Sequence, residues 1–476
     1  MPTPLRLHPD RALPAEPATR AVARAIYQQT RLLPLVCMHG HVEAQVLADN
    51  AAFTDPASLL ITPDHYVTRM LASQGIAPER LGVPRLDHGP VETDPRTIWR
   101  LFCEHWHLFR GTPSRYWLEH ELVDLFGVDV HPSADTADGI FDVVDARLRE
   151  PAFHPQQLLD RFRIELISTT DPATSDLAQH ERLRQQGLGH RVLPTFRPDA
   201  VVNLDEPTWQ QDVKTLGTVA RTDTSHYQGF LDALRQRRLA FLEAGGLATD
   251  HGHLTADTTP LPDAVAADLY HRALGGDVDP PAARAFAGHM LHVMAGMSRD
   301  DGLVMQLHPG VLRNHHTDTA RTFGPDTGYD IPVGAEYTRA LRPLLDSYGS
   351  DPGFRLILFT VDESTFSREL APLAGAYPSV RLGAPWWFLD SPDGMRRFRE
   401  LVTETAGFYN TSGFVDDTRA FASIPARHDL SRRIDAGYLA RLVTEHRLGE
   451  AEAVESAVDL AYTLPRLAYQ ARPSSR

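Results

Sequence analysis

Short apolar segments alternate with helix-length segments along most of the chain, and this alternation limits the possible folds more than any other feature. It is typical of α/β proteins, in which a helix returns the chain after each strand so that the strands lie parallel. Eight such units predict a (β/α)8 TIM barrel, whose sheet closes on itself. The predicted strands are residues 35–41, 164–169, 191–196, 246–250, 303–308, 355–361, 380–384 and 413–417.

One long segment, residues 42–155, interrupts this alternation. It contains helical patterns separated by proline and glycine, and few strand-like runs. Because it follows the first predicted strand, we expect a helical insertion that caps the barrel. With 476 residues, of which 42% are hydrophobic, the chain can bury a large core. We therefore expect residues 1–476 to form a single barrel domain with a cap at about 42–155.

Charge and cysteine content exclude several classes of protein. A net charge of −15 argues against nucleic acid and against an anionic membrane surface as partners. Two cysteines, Cys37 and Cys103, are too few for a disulfide framework, which predicts a reducing, cytoplasmic compartment. The first residues contain no apolar segment of signal-peptide type, and the apolar run before His39 is too short to span a bilayer.

A pair of histidines, His39 and His41, stands at the end of the first predicted strand. Residues i and i+2 of a strand point to the same side, so the two imidazoles would form half of a metal site. The spacing alone fits a metal site and a pair of buried structural histidines equally well. Asp417, at the end of the last predicted strand, would supply a carboxylate ligand from across the barrel.

Two further His-x-His pairs are weaker candidates. His105 and His107 lie in a predicted helix, where residues two apart point in different directions and cannot bind one ion. His251 and His253 follow a short predicted strand beside Asp250. An Asp-His-Gly sequence in that place more often positions a substrate or a proton than a metal.

The predicted strands have polar ends. In a TIM barrel the active site lies at the carboxyl ends of the strands, so these residues are expected to surround it. They are His39, His41, Thr169, Thr170, Arg197, Asp250, His251, His308, Asp362, Glu363, Trp386, Asp417 and Arg419.

Several short motifs, in a fixed order, carry a resemblance to a known family. They are His39-Gly40-His41, Asp64-His65-Tyr66, residues 111–119 (GTPSRYWLE), 168–171 (STTD), 194–199 (PTFRPD), 249–252 (TDHG), 306–308 (QLH) with Arg313-Asn314, 385–388 (PWWF), Asp417-Thr418-Arg419, and 427–429 (RHD) with Arg432-Arg433. From about residue 20 to about residue 470 the chain resembles the uronate isomerases (glucuronate/galacturonate isomerases) of the amidohydrolase superfamily. It departs from them at Cys37-Met38, where an acidic-aromatic pair is usual, and at Pro309-Gly310, where an aliphatic-Gly-Ala sequence is commoner.

The resemblance implies a reversible aldose–ketose isomerisation of hexuronates, a step of carbohydrate catabolism. D-Glucuronate would become D-fructuronate, or D-galacturonate would become D-tagaturonate, as a proton moves between C2 and C1 through an enediol. A divalent metal held by His39, His41 and Asp417 would stabilise the developing oxyanion. Zinc suits imidazole with carboxylate, and manganese or iron is also compatible with these ligands.

The resemblance also implies roles for the other residues. Tyr66 or His65, from the cap, would move the proton; Arg419 would neutralise the enediolate or bind the substrate carboxylate; Asp250 would assist ring opening or bind a hydroxyl; Arg197 would clamp the carboxylate; and Trp386, His308 and Arg313 would contact the sugar. Each has a structural alternative, such as an ion pair between Arg197 and Asp199 or a helix cap at Asp250.

Two other functions remain open at this level. The same site could hydrolyse a lactone, amide or amine with metal-activated water, with Asp417 as the base. Arg197 and Arg419 favour isomerisation over this alternative, because they suit a substrate that carries a carboxylate. A sugar-acid binding protein on a decayed barrel would have lost these residues, which are present. We also expect a homo-oligomer, although the sequence does not indicate how the subunits assemble.

Overall fold

A ring of short parallel strands forms the centre of the computed structural model, which describes residues 3–470. In this ring, one sheet has the order β1-β2-β4 and a second has the order β11-β10-β7-β6-β5-β3; β8 and β9 form a separate antiparallel pair. β3 and β5 follow β2 and β4 after breaks of two residues, so the two sheets are neighbouring parts of one wall. The strands are β1 (Leu35–Cys37), β2 (Ile164–Ser168), β3 (Asp171–Pro172), β4 (Val192–Leu193), β5 (Phe196–Arg197), β6 (Ala248–His251), β7 (Val304–Leu307), β8 (Val311–Leu312), β9 (Ile331–Pro332), β10 (Leu356–Leu358) and β11 (Val380–Leu382).

The wall closes through a segment that is not a regular strand. Thr411 forms an isolated parallel bridge with Leu382 of β11. On its other side the same segment bonds to the chain after β1, where the Asp417 N–H donates to the His39 carbonyl at 3.2 Å. The predicted (β/α)8 barrel is therefore confirmed, with seven of its eight predicted strands assigned as strands.

Two details of the strand prediction were wrong. Within the described residues, 413–417 is not a strand, because Gly413 and Asp417 have φ of 75° and 41° and leave the β region of backbone conformation. The first strand ends at Cys37, so His39 and His41 lie on the loop that follows. Hydrogen bonds to residues 417 and 418, rather than strand alternation, bring the two imidazoles to one side.

Helices surround the barrel and bury its outer face. The largest apolar cluster lies between the strands β5, β7, β10 and β11 and the helices that follow them. The helices are α1 (Pro17–Thr30), α2 (Ala44–Asp49), α3 (Pro56–Leu60), α4 (His65–Ala72), α5 (Pro95–Glu104), α6 (Pro113–His120), α7 (Ala137–Leu148), α8 (Pro155–Arg161), α9 (Ala178–Gln185), α10 (Asp199–Val202), α11 (Trp209–Ala220), α12 (Tyr227–Glu243), α13 (Asp263–Leu274), α14 (Pro280–Asp301), α15 (Thr317–Phe323), α16 (Arg342–Tyr348), α17 (Ala371–Ala376), α18 (Pro392–Ala406), α19 (Ile424–Thr444), α20 (Glu450–Val458) and α21 (Leu464–Ala468).

The segment between β1 and β2 is helical, as the sequence predicts. It contains α2 to α8, and its own apolar cluster includes buried Trp99, Phe102 and Phe109. The domain boundary at about 42–155 stays a prediction. Of the helices between residues 3 and 470, none combines the length and the apolar character that a membrane span requires.

The barrel interior is filled with side chains rather than hollow. Tyr469, beyond α21, is fully buried in the same cluster as Val304 of β7 and Ile357 of β10. Its hydroxyl donates to the Gln306 side-chain oxygen at 2.7 Å. Because a packed interior holds the strands in register, the loops at their carboxyl ends are supported from below.

Candidate active site

Three potential metal ligands converge at the carboxyl end of the barrel. The Nε2 atoms of His39 and His41 lie 3.2 Å and 3.1 Å from Oδ1 of Asp417. That oxygen is buried and, among residues 3–470, has no hydrogen-bond partner of acceptable geometry, so the three atoms face a common point rather than one another. Ligands of a tetrahedral zinc ion lie roughly 3.3 Å apart, which follows from bond lengths of about 2.0 Å. The donor set therefore fits a divalent metal.

The charges of these ligands also suit a cation. Burial would raise the pKa of Asp417, but the imidazoles of His39 and His41 outweigh it and hold the pKa of this carboxyl well below its usual range. Burial lowers the pKa of His41, which keeps its imidazole neutral. Burial also acts to lower the pKa of His39, but Asp250 and Asp417 outweigh it and raise that pKa. Metal ligation requires an ionised carboxylate and neutral imidazoles, and a bound cation would favour both forms.

Asp250 lies beneath the three potential metal ligands rather than in the open cavity. Its carboxylate is fully buried and lies 2.8 Å from His308 Nε2, 3.3 Å from Arg197 Nη1 and 3.9 Å from His39 Nδ1. Burial would raise the pKa of Asp250, but the neighbouring cations hold it well below its usual range. In this arrangement the carboxylate contacts three predicted site residues from below.

Arg197 has two acidic neighbours. Besides Asp250, it contacts Asp199, whose Oδ2 accepts a hydrogen bond from Arg197 Nε at 2.9 Å. Asp199 also accepts from the Gly252 N–H at 3.0 Å. The ion pair with Asp199, the structural alternative for this arginine, is therefore present. This ion pair fixes the plane of the Arg197 guanidinium, and the Arg197 side chain also lines the cavity.

The other two arginines of the cavity differ in how firmly they are paired. Arg313 contacts Asp330 at 2.7 Å, and the Asp330 side chain is only 5% exposed. Arg419 contacts Asp326 at 3.3 Å, and the Asp326 side chain is 52% exposed. Because solvent screens exposed ion pairs strongly, the guanidinium of Arg419 is the more available of the two for an anionic ligand.

The cap supplies the first turn of α4 to the cavity. Asp64 caps this helix by accepting from the Tyr66 N–H at 2.8 Å. The rings of His65 and Tyr66 stack with their centroids 4.9 Å apart. Burial, Arg419 and other neighbouring charges lower the pKa of His65 to about 3, whereas burial and Asp390 raise the pKa of Tyr66 well above its usual value. The imidazole is therefore neutral, and the phenol keeps its proton, at neutral pH.

Aromatic rings form the side of the cavity opposite the cap. Trp386 lies with its ring centroid 5.1 Å from that of His308 and 5.4 Å from that of Trp387. Trp387 also lies below the guanidinium of Arg313 at 5.5 Å. An apolar face of this kind can pack against the C–H surface of a sugar.

Together these residues line one cavity of about 310 Å³. Of the residues expected to bind the metal or the substrate or to take part in the reaction, all line it except Asp250, which lies beneath. Five other strand-end residues that were expected to surround the site do not line the cavity: Thr169, Thr170, His251, Asp362 and Glu363. The cavity is lined by His39, His41, Asp64, His65, Tyr66, Arg197, Glu206, His308, Arg313, Asn314, Pro325, Asp326, Gly328, Asp330, Trp386, Trp387, Asp417, Thr418, Arg419 and Ala420. A larger surface cavity of about 690 Å³ lies on the cap, away from the three potential metal ligands.

Sequence reasoning missed Asp326 and Asp330. Both lie in the long loop after β7, and nothing in the local sequence distinguishes them from Asp318, which is 75% exposed and pairs with Arg321. Only the spatial contacts with Arg419 and Arg313 identify them. The pair His251 and His253, in contrast, is brought together with Asp199 behind Arg197 and does not line the cavity.

Gly252 is predicted to be essential because there is no room for a larger residue. A methyl group at this position would lie 2.7 Å from His308 Cε1 and 2.8 Å from Arg197 Nη2. We expect Gly252→Ala to displace both side chains and to lower kcat/KM by about 10²-fold, the scale of a small misplacement of site groups. Gly334→Ala, where a methyl group meets nothing within 4 Å, is the matched control. Steady-state kinetics with a hexuronate measure the effect, and equal rates in the two variants would contradict the prediction.

The fold and the site define the class of this protein. It is a (β/α)8 barrel of the amidohydrolase type with residues that could hold one metal ion at the carboxyl ends of the strands. The family model for glucuronate isomerase matches residues 18–466. The chain belongs to the glucuronate isomerase family.

Individual relatives agree with this assignment. The uronate isomerase of Rhizobium meliloti (strain 1021) is 54% identical over 464 residues, which cover 98% of this chain and 99% of the relative. The crystal structure of glucuronate isomerase from Caulobacter crescentus has a TM-score of 0.96 and 48% identity, with 99% of this chain and 98% of that chain covered. The uronate isomerase structure from Thermotoga maritima has a TM-score of 0.90 and 27% identity, with 98% and 100% covered. The family predicted from the sequence is confirmed.

Proposed function

We propose that this cavity catalyses the reversible aldose–ketose isomerisation of hexuronates, converting D-glucuronate to D-fructuronate or D-galacturonate to D-tagaturonate. The observation that carries the proposal is the convergence of His39, His41 and Asp417 beside the guanidinium of Arg419. Such a site combines a place for a cation with a fixed positive charge, and both stabilise an enediolate.

The metal ligands in this proposal are His39, His41 and Asp417. Zinc is the first candidate, and manganese and iron also accept imidazole with carboxylate. When bound, a divalent ion supplies a positive charge that stabilises negative charge on a substrate oxygen. Asp250 supports these ligands, because its buried carboxylate faces His39 and holds His308 and Arg197 in place.

Two arginines, Arg197 and Arg419, bind different negative charges of the substrate. Arg197, fixed by Asp199 and Asp250, presents a rigid guanidinium to the substrate carboxylate. Arg419, whose partner Asp326 is exposed, stabilises the negative charge that develops on the substrate during the reaction. Trp386, His308 and Arg313 contact the sugar along the remaining wall.

The candidates for proton transfer are two residues of the cap, Tyr66 and His65. A catalytic phenolate at Tyr66 would need a lowered pKa, whereas burial and Asp390 raise the pKa of this tyrosine. Tyr66 therefore acts as an O–H donor to the substrate. His65 stays neutral because its pKa is lowered to about 3, and so weak a base contacts the substrate as a hydrogen-bond partner rather than as the proton acceptor.

Proton NMR in D2O tests the reaction. The purified protein is incubated with D-glucuronate or D-galacturonate, with and without chelator. We expect formation of the ketose and exchange at C2, both lost on chelation. If neither sugar exchanges or isomerises, the proposal fails; turnover of a lactone or amide under the same conditions would favour the hydrolytic alternative.

Location and assembly are parts of the same proposal. The net charge of −15 and the two free, buried cysteines support a cytoplasmic enzyme that acts on a small molecule rather than on nucleic acid or membrane. We propose a homo-oligomer, and light scattering of the purified protein measures its mass.

A further inference from the structure

The carboxylate ligand of the candidate metal centre has an unusual backbone. Asp417 has a φ of 41°, in the left-handed region that residues other than glycine seldom adopt. A conformation of this kind is strained and persists only where the surroundings hold it firmly. The residues that hold Asp417 therefore decide whether its oxygen meets the two imidazoles.

The main chain supplies part of the support. The Asp417 N–H donates to the His39 carbonyl at 3.2 Å, and the His41 N–H donates to the Thr418 carbonyl at 3.0 Å. These two bonds join the His39–His41 loop to the Asp417 loop. They fix the distance between the loops, but they do not anchor either loop to the body of the barrel.

A buried cluster behind the loops provides that anchor. The Asp416 carboxylate accepts a hydrogen bond from His428 Nε2 at 3.2 Å, and the Cys37 Sγ lies 3.5 Å from the same nitrogen. All three side chains are almost completely buried. Cys37 ends β1 and His428 lies on α19, so one carboxylate connects a barrel strand, a long helix and the metal-binding segment.

The same carboxylate also lies against the histidine loop. A methyl group on Gly40, between the two histidines, would lie 3.2 Å from Asp416 Oδ1. Asp416 thus packs beneath the loop that presents His39 and His41, while it is the direct neighbour of Asp417. Neither Asp416 nor His428 lines the cavity; with Cys37 they form a separate group of possible metal ligands behind it.

We propose that Asp416 and His428 are positioning residues that set the metal affinity of this enzyme by holding the strained Asp417 against the two histidines. The inference rests on the proposed metal site. Residues behind metal ligands commonly change metal affinity by about 10–100-fold when they are replaced. Here the effect arises because loss of the anchor lets Asp417 relax out of its left-handed conformation.

The test measures metal affinity without any sugar. Zn²⁺ and, separately, Mn²⁺ are titrated into the apoprotein in competition with a chromophoric chelator, for the parent, Asp416→Asn and His428→Gln. We expect both variants to bind about 10–100-fold more weakly with the number of ions bound at saturation unchanged. Loss of one bound ion per chain would instead make Asp416 and His428 direct ligands with Cys37 and would overturn the proposal. At saturating metal, kcat should largely recover and KM for the hexuronate should stay near the parent value.

Asp435→Asn is the matched control. Asp435 lies on the same helix as His428, and its buried carboxylate accepts from Arg399 Nε at 2.6 Å and Nη2 at 3.0 Å. This variant should lose thermal stability and keep its metal affinity. Folding of each variant is checked by circular dichroism and thermal unfolding.

Metal affinities within about twofold of the parent in both folded variants would overturn the proposal, as would an equal loss of affinity in Asp435→Asn. Because these titrations contain no sugar, their outcome is independent of the NMR assay. An enzyme that isomerises no hexuronate but shows the expected loss of metal affinity would fail the proposed function alone.

Discussion

Asp417→Asn is expected to abolish tight metal binding and to lower kcat by about 10³-fold or more. The substitution removes the anionic ligand on which the two imidazoles converge, at 3.1 Å and 3.2 Å. An amide cannot balance the charge of a divalent cation, so both the affinity and the stabilisation of the oxyanion are lost. A loss of about 4 kcal/mol in transition-state stabilisation corresponds to about 10³-fold in rate.

The measurement combines metal analysis of the purified variant with isomerase kinetics at saturating metal. Asp362→Asn is the matched control, because Asp362 also follows a barrel strand but does not line the cavity, and its Oδ1 caps a turn by accepting from the Ser364 N–H. The prediction would be refuted by a variant that keeps both its metal and its rate.

Arg419→Met is expected to lower kcat/KM for hexuronates by about 10²–10³-fold, the usual cost of removing one group that stabilises a developing oxyanion. Of the two arginines next to the loop after β7, Arg419 has the more exposed partner, since Asp326 is 52% exposed and Asp330 only 5%. The partner of Arg419 therefore neutralises its charge less than the partner of Arg313 does. Methionine keeps much of the apolar stem and removes the guanidinium, with both its charge and its hydrogen-bond donors.

Two further variants sharpen this test. Arg419→Lys keeps the charge but loses the planar fork, so it should recover part of the rate. Arg321→Met serves as the control, because Arg321 lies on α15, is exposed and, within residues 3–470, pairs with the exposed Asp318. Kinetics of Arg419→Met within about twofold of the parent would remove Arg419 from the mechanism.

Much of the cavity could be predicted because its residues follow apolar strands. His308 directly follows β7, and Arg197 ends β5. A strand pattern with a polar residue at its end is a local signal, and the closed barrel brings all such ends to one face. The tyrosine and histidine of the cap, Tyr66 and His65, were found through the family resemblance, since no local pattern relates α4 to the barrel.

Other features could not be read from local patterns. The family resemblance implied that Asp250 assists ring opening or binds a hydroxyl, with a helix cap as the structural alternative. The structure buries its carboxylate beneath His39, His308 and Arg197. The sequence pattern predicts one helix over residues 335–348, but α16 begins only at Arg342. The N–H groups of residues 337 and 338 donate to the buried Glu369 instead of forming a helical turn. Each difference arises from a contact between residues distant in the chain.

The amino-acid sequence by itself determined the barrel, the face on which the active site lies and the three metal-ligand candidates, because hydrophobic periodicity and strand-end chemistry are local properties. Tertiary structure alone decided how Asp417 reaches His39 and His41. It does so through a left-handed backbone and a buried Asp416–His428 pair rather than through a regular strand. The physical reason is that backbone strain and ion pairing depend on neighbours that only the closed fold brings together.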